Sequence, residues 1–189
     1  TGYSNDGSRL NDFWEYDADI RAWKQVANFA GTPRHDATAF VVENKAYVGS
    51  GNDGSYKQDF YSFTPATNTW EAIADIPGTR QYASAFSVNG KGYAGMGYDG
   101  NHKQDIYEYN PTTDSWRPMA SFLGGKRRGC VAFTLDNKGY LGFGVSNGIY
   151  QNTIYQFDPA ANSGNGEWIE KAELQDAEEK DYPRAFAVP

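Results

Sequence analysis

The chain has 189 residues, 16% of them aromatic, with 21 glycines and a formal net charge of −7. That length can bury a sizeable core, but an acidic chain whose lysines and arginines lie at scattered, repeat-locked positions offers no basic face to displace counterions from phosphates, which excludes a nucleic-acid partner. No apolar run reaches the length of a membrane span, and the first residues, Thr1 to Asp6, do not read as a signal peptide. Cys130 is the single cysteine, so an intrachain disulfide and a multi-cysteine zinc site are excluded as well.

In chain order, the first recognisable element follows the polar pair Asn11 and Asp12, where Trp14 and Tyr16 alternate toward Asp17 and Ala18, with Trp23 beyond. Alternation of aromatics on one face predicts a half-buried strand. Next comes an arginine opening an Ala-rich stretch, Arg34 to Phe40, and then Lys45, Tyr47, Gly49 and Gly51, separated by Glu43 and Asn44. Those two polar residues tolerate the positive φ of a tight turn, so the two stretches predict a hairpin. A second aromatic strand follows Gln58 and Asp59, carries Tyr61 and Phe63, stops at Pro65, and leads to Trp70.

The same succession returns at a spacing of roughly 47 residues. It runs Arg80 to Phe86, Lys91 to Gly97, Gln104 and Asp105, Tyr107 and Tyr109, Pro111 and Trp116. It runs again from Arg127 to Phe133, Lys138 to Gly144, Asn152 and Thr153, Tyr155 and Phe157, Pro159 and Trp168, the last displaced by an insert at 162–166. A further copy starts at Arg184. The units are therefore 1–33 (partial), 34–79, 80–126, 127–183 and 184–189.

An arginine-alanine strand, a Tyr-x-Gly-x-Gly strand, an aromatic-x-aromatic strand ending at proline and a tryptophan strand together resemble the kelch repeat over essentially the whole chain. The resemblance implies an all-β chain of kelch-type β-propeller blades, each a four-stranded antiparallel sheet with its Ala-rich strand innermost. About four blades are covered, read as a segment of a larger propeller rather than a four-bladed ring lacking one hairpin. Aligning Asp12 with Asp59 sets Thr1 at the place of Val48. The glycines, prolines, tryptophans and paired aromatics are architecture. The Gly-x-Gly spacing departs from the adjacent glycine pair usual in the family and leaves the twist of the second strand open.

The face that gathers the connections between second and third strands and between fourth and first strands carries the candidate functional residues. Arg34, Arg80, Arg127 and Arg184 stand at the channel mouth, followed by residues that differ between units: His35 and Asp36, Gln81 and Tyr82, Arg128 and Gly129. Arginine holds a carboxylate through paired donors in fixed geometry, and the resemblance implies acidic-peptide or sugar-acid ligands for such arginines. The alternative is that each arginine caps carbonyls or pairs with an acid on the next blade. Loop residues Asp99 and His102 complete the binding set with Arg128. Asp-Gly and Asn-Gly in these loops are turn chemistry first, and one aspartate per loop supplies too few oxygens for calcium; no metal and no cofactor are implied.

The reading is a non-enzymatic recognition propeller for an acidic or carbohydrate ligand or a protein partner. One alternative is a sugar-acid mutarotase or epimerase resembling the N-acetylneuraminate-processing kelch enzyme, in which His35 or Tyr82 moves a proton. Another is a structural scaffold of a surface complex. A copper-radical oxidase like the galactose oxidase propeller is excluded, because Cys130 fills a small inner-strand position taken by alanine elsewhere. The acid-rich connection from Glu173 to Tyr182 is a solvated loop or a short exposed helix, and its place beside Arg184 also makes it a candidate gate over the channel mouth. Resemblance to secreted bacterial kelch proteins implies an extracellular, cell-surface or periplasmic location.

Overall fold

The computed structural model describes residues 1–173, so Arg184 and the acid-rich connection beyond Glu173 lie outside the described residues. The first unit holds β1 (Gly2–Tyr3) paired with β2 (Arg9–Leu10), and β3 (Trp14–Asp17) paired with β4 (Ala22–Gln25). The second unit is a four-stranded antiparallel sheet of β5 (Thr38–Val42), β6 (Lys45–Gly49), β7 (Phe60–Thr64) and β8 (Thr69–Ile73), in that order. The third repeats it with β9 (Ser84–Val88), β10 (Lys91–Gly95), β11 (Ile106–Asn110) and β12 (Ser115–Pro118). In the fourth, β13 (Val131–Leu135) and β14 (Lys138–Gly142) are followed by the small hairpin of β15 (Val145–Ser146) and β16 (Ile149–Tyr150). Then β17 (Thr153–Asp158), a short turn α1 (Ala161–Gly164) in the insert, and β18 (Glu167–Glu173) complete its sheet.

The hairpins form where the sequence expects them. Val42 pairs with Lys45 across Glu43 and Asn44, both with positive φ (49° and 62°), and Asn89 with Gly90 and Asp136 with Asn137 do the same. Two positive φ values give a turn whose twist matches the strands it joins. The Ala-rich strands of successive units lie side by side: Ser84 Oγ donates to Cys130 O at 2.9 Å and Thr134 Oγ1 to Ser87 O at 2.7 Å. Between blades, the stacked pair Phe40 and Tyr47 meets Tyr109 and Trp116 of the following unit, and Phe86 with Tyr93 meets Phe157. One aromatic layer thus fills each joint.

Each joint is also fastened by a backbone clasp. The indole of Trp70 donates to Ala27 O at 2.9 Å while Ala27 N donates to the Asn68 side chain at 2.7 Å. Trp116 and Asp114 hold Ala74 in the same way. Trp168 holds Ala120 O, with Asn165 O accepting from Ala120 N.

Hydrogen bonding shifts the start of the chain by two places from the sequence alignment. Gly2 N donates to Arg34 O as Gly51 N does to Arg80 O and Gly97 N to Arg127 O. Gly2 therefore matches Gly51 and Thr1 matches Ser50, because the first loop is longer by two residues than those of the second and third units.

Candidate functional site

The repeat arginines go inward. Arg34 and Arg80 are fully buried and spend all five N–H donors within the protein, on their own unit and on the segment just before it. Arg34 grips Asp59 with two nitrogens at 2.5 and 2.8 Å, and its other donors reach Thr32 O, Thr32 Oγ1 and Ser50 O. Arg80 grips Asp105 twice at 2.9 Å and reaches Gly78 O, Pro77 O and Met96 O. The guanidinium thus ties the entry to the first strand to the entry to the third, and its acid partner belongs to the same unit, not to the next blade. Arg127 sits in the same frame, 2% exposed, with NH1 donating to Phe143 O and Thr153 Oγ1 and NH2 to Gly124 O. Burial lowers its pKa.

The residue after each arginine does face the loop side. His35, Gln81 and Arg128 occupy one position in three successive units, each fixed by a two-way backbone pair: His35 with Asn52, Gln81 with Tyr98, Arg128 with Val145. One residue further on, Asp36, Tyr82 and Gly129 all have left-handed backbone (φ 55°, 55° and 64°) and form a chain across the blades, Gly129 N donating to Tyr82 O and Tyr82 N to Asp36 O. Gly51, Gly97 and Gly144 lie beneath this chain, where a Cβ would come within 2.7, 2.5 and 2.5 Å of His35 O, Gln81 O and Arg128 O. The variable residues are therefore displayed on an unvarying backbone.

Two units meet around Arg128. Its guanidinium carbon lies 5.3 Å over the Tyr82 ring and 5.2 Å over that of Tyr98, measured to the ring centres. Tyr98 makes an edge contact with His102 at 5.1 Å and with Tyr56 at 6.1 Å. Gln81, Tyr82, Tyr98, His102 and Arg128 are all half-buried. Three polar atoms in this cluster, Gln81 Oε1, His102 Nε2 and Arg128 Nε, are shielded from solvent and have no hydrogen-bond partner. Burial and the neighbouring Arg128 charge lower the His102 pKa, against the opposing pull of the Asn147 side chain, so the imidazole is neutral at pH 7.

A second arrangement lies one blade away. His35 Nδ1 is 2.6 Å from Asp36 Oδ2, and the Tyr3 ring stacks on the imidazole at 4.3 Å. The carboxylate fixes the ring by one nitrogen and leaves Nε2 as the atom turned to other tasks.

Of the residues singled out in the sequence, Arg128, His102 and Tyr82 come together, while Arg34, Arg80 and Arg127 each lie within a blade. Asp99 pairs with Lys103 at 2.6 Å and accepts from Asn101 N, closing its loop. Gln81 stood among the variable positions without an assigned role; only the fold shows that it and Tyr98 converge with Arg128. Burial pushes the Cys130 thiol up to about 12, so it stays protonated as an inner-strand packing residue.

The family model described as the KLHDC2/KLHL20/DRC7 Kelch-repeats domain matches residues 1–124. Among solved structures, the one titled "Structure of YjhT" superposes with a TM-score of 0.74 at 19% identity, over 89% of this chain and 61% of that one. The chain thus spans 61% of the length of that neighbour, and the likeness is one of fold. No curated protein matches it. With the family match over residues 1–124, three four-stranded sheets in one repeating order and a solved neighbour of the same architecture, the chain belongs to the kelch-repeat family of β-propellers.

Proposed function

We propose that this kelch module is a recognition propeller whose loop face binds a carboxylate-bearing carbohydrate at the Arg128 cluster. The observation that carries the reading is Arg128 itself: its guanidinium lies against two tyrosine rings, and its Nε, like Gln81 Oε1 and His102 Nε2 in the same cluster, is unpaired. A guanidinium lying against aromatic rings keeps its N–H edge for a planar acid, and the amide oxygen and imidazole suit hydroxyl groups. Tyrosine faces also suit sugar rings. Titration calorimetry with sialic acid, uronic acids and an acidic peptide tests it. Arg128→Ala is expected to weaken the sugar acid by about 1.5 to 3 kcal/mol, roughly 10- to 150-fold, with little change in melting temperature. Binding indifferent to Arg128→Ala, or preference for the peptide over every sugar acid, would overturn the reading.

The second reading, a sugar-acid mutarotase or epimerase, is favoured by one observation, the His35–Asp36 pair at 2.6 Å on the same face. An imidazole oriented by a carboxylate is suited to general acid-base transfer at a ring hydroxyl. His35→Gln would then abolish mutarotation of a bound sugar acid while leaving its affinity within a few-fold, whereas a pure recognition module shows no mutarotation in either protein.

A further inference from the structure

The three repeat arginines make the protein its own control. In the second and third units the guanidinium closes on a carboxylate at the head of the third strand, Asp59 for Arg34 and Asp105 for Arg80, with two nitrogens on two oxygens. In the fourth unit the arginine keeps its burial and its bond to the residue between the two glycines. Arg127 donates to the carbonyl of Phe143 as Arg34 does to Ser50 and Arg80 to Met96, and its guanidinium lies 5.0 Å from the Phe122 ring centre as Arg34 does from Phe29. The residue in the carboxylate position, however, is Thr153, whose hydroxyl lies 3.3 Å from NH1. Arg127 Nε is buried without a partner, and among the described residues no carboxylate pairs with this guanidinium. Glu170, the acid in its neighbourhood, is engaged by the Tyr155 hydroxyl at 3.0 Å.

A guanidinium does not shed its proton in a protein, so Arg127 keeps a positive charge that its burial leaves without compensation. The lowering of its pKa by burial is the same imbalance seen from the proton's side. The residue in the place of the missing acid, Thr153, is half-buried rather than enclosed. In the sister units the aspartate that fills it is 30% and 36% exposed although the arginine is fully buried. A carboxylate arriving from solvent therefore has a path to the guanidinium edge that the sequence of this unit leaves unfilled.

We propose that Arg127 is a binding site for a small free monocarboxylate, taken from solution at the place where the sister blades use their own aspartate. The free N–H of NH2 grips one oxygen and NH1 turns from the Thr153 hydroxyl to the other, as in the clamps of Arg34 and Arg80. The site is separate from the Arg128 cluster and does not depend on its ligand.

Thermal denaturation in sodium formate, against sodium sulfate of matched ionic strength, tests it on the full chain. Wild type is expected to melt about 2 to 4 °C higher in formate than in sulfate, because a ligand bound to the folded state alone stabilises it. Thr153→Asp restores the internal carboxylate; it should melt higher than wild type without formate and lose the formate response. Arg127→Met, which removes the charge, should lose it and serves if Thr153→Asp does not fold. An equal formate response in wild type and in either Thr153→Asp or Arg127→Met, or no response in wild type, overturns the proposal.

Discussion

Ser50, Met96 and Phe143 each stand between the two glycines of their unit with left-handed backbone (φ 54°, 58° and 58°), a conformation that costs an L-residue roughly 1 to 2 kcal/mol. The sequence displays this departure openly as Gly-x-Gly. What it cannot display is that the middle residue, not a glycine, takes the turn out of the second strand. Ser50 carries a second cost, since it is fully buried and its hydroxyl has no partner. Ser50→Gly removes both, at the expense of about 0.5 to 1 kcal/mol of extra freedom in the unfolded chain. The net expectation is a gain of about 1 kcal/mol, read as a rise in the urea midpoint at unchanged slope. A loss would mean that the packing of the Ser50 side chain outweighs its strain. The clamp arginines teach a related lesson. Arg34, Asp59, Arg80 and Asp105 were all visible as landmarks, but with both residue types repeating at one period, Asp59 is as well placed in the sequence for Arg80 as for Arg34. Only folded geometry breaks that tie, in favour of the arginine of the same unit.

At the level of strands and blades, periodicity made the hairpins and the aromatic third strands legible, because alternation and paired positive-φ turn residues act locally. The clasps were not legible. Their acceptors are the main-chain carbonyls of Ala27, Ala74 and Ala120, and a carbonyl leaves no mark in a sequence. The one available hint was a polar residue two places before the tryptophan, Asn68 or Asp114, whose side chain receives the alanine N–H. Tryptophan itself is read as one landmark yet occupies two environments: Trp168 is 6% exposed within a joint, whereas Trp23 is 66% exposed. Trp168→Ala should therefore cost about 3 to 5 kcal/mol, and Trp23→Ala less than about 1 kcal/mol. Paired denaturant melts check this, and equal losses would refute the distinction between a filled and an open joint.

Across the whole molecule, the carboxylates with resolved shifts all lie below their ordinary range. The Ser4 hydroxyl lowers Asp6 to about 2, and Lys138 lowers Asp158. Burial works upward on Glu108, yet the Arg117 guanidinium and the Tyr93 hydroxyl outweigh it; Lys103 and Asn101 N–H do the same for Asp99. Each stays ionised in the folded state where the unfolded chain takes up protons, so their contribution is present above about pH 4 and is lost as pH falls further. His102, lowered by burial and by Arg128, acts with the same sign in a higher window, below about pH 6.5. Burial raises Tyr93 and Tyr109, so the alkaline limb falls as pH climbs past about 10. Urea midpoints should hold level from about pH 7 to 9 and decline in two acid steps, with His102→Gln flattening the upper one alone. The candidate site belongs to this scale too: Gln81, Tyr82 and Tyr98 come from one unit, Arg128 from the next, and the variable positions that carry them were visible only one by one.

The clasps also give the array a polarity that optical spectroscopy can follow. Each indole of Trp70, Trp116 and Trp168 reaches back to the unit before it, so its surroundings report the joint on its N-terminal side. Opening a joint exposes the indole of the downstream blade and leaves the upstream one untouched. Loss of structure that travels from the N-terminal side would therefore shift emission to longer wavelength one tryptophan at a time, starting with Trp70. Loss that begins in the fourth unit would release Trp168 first, together with its own sheet. The order in which three otherwise equivalent fluorophores redden tells from which end the blades come apart.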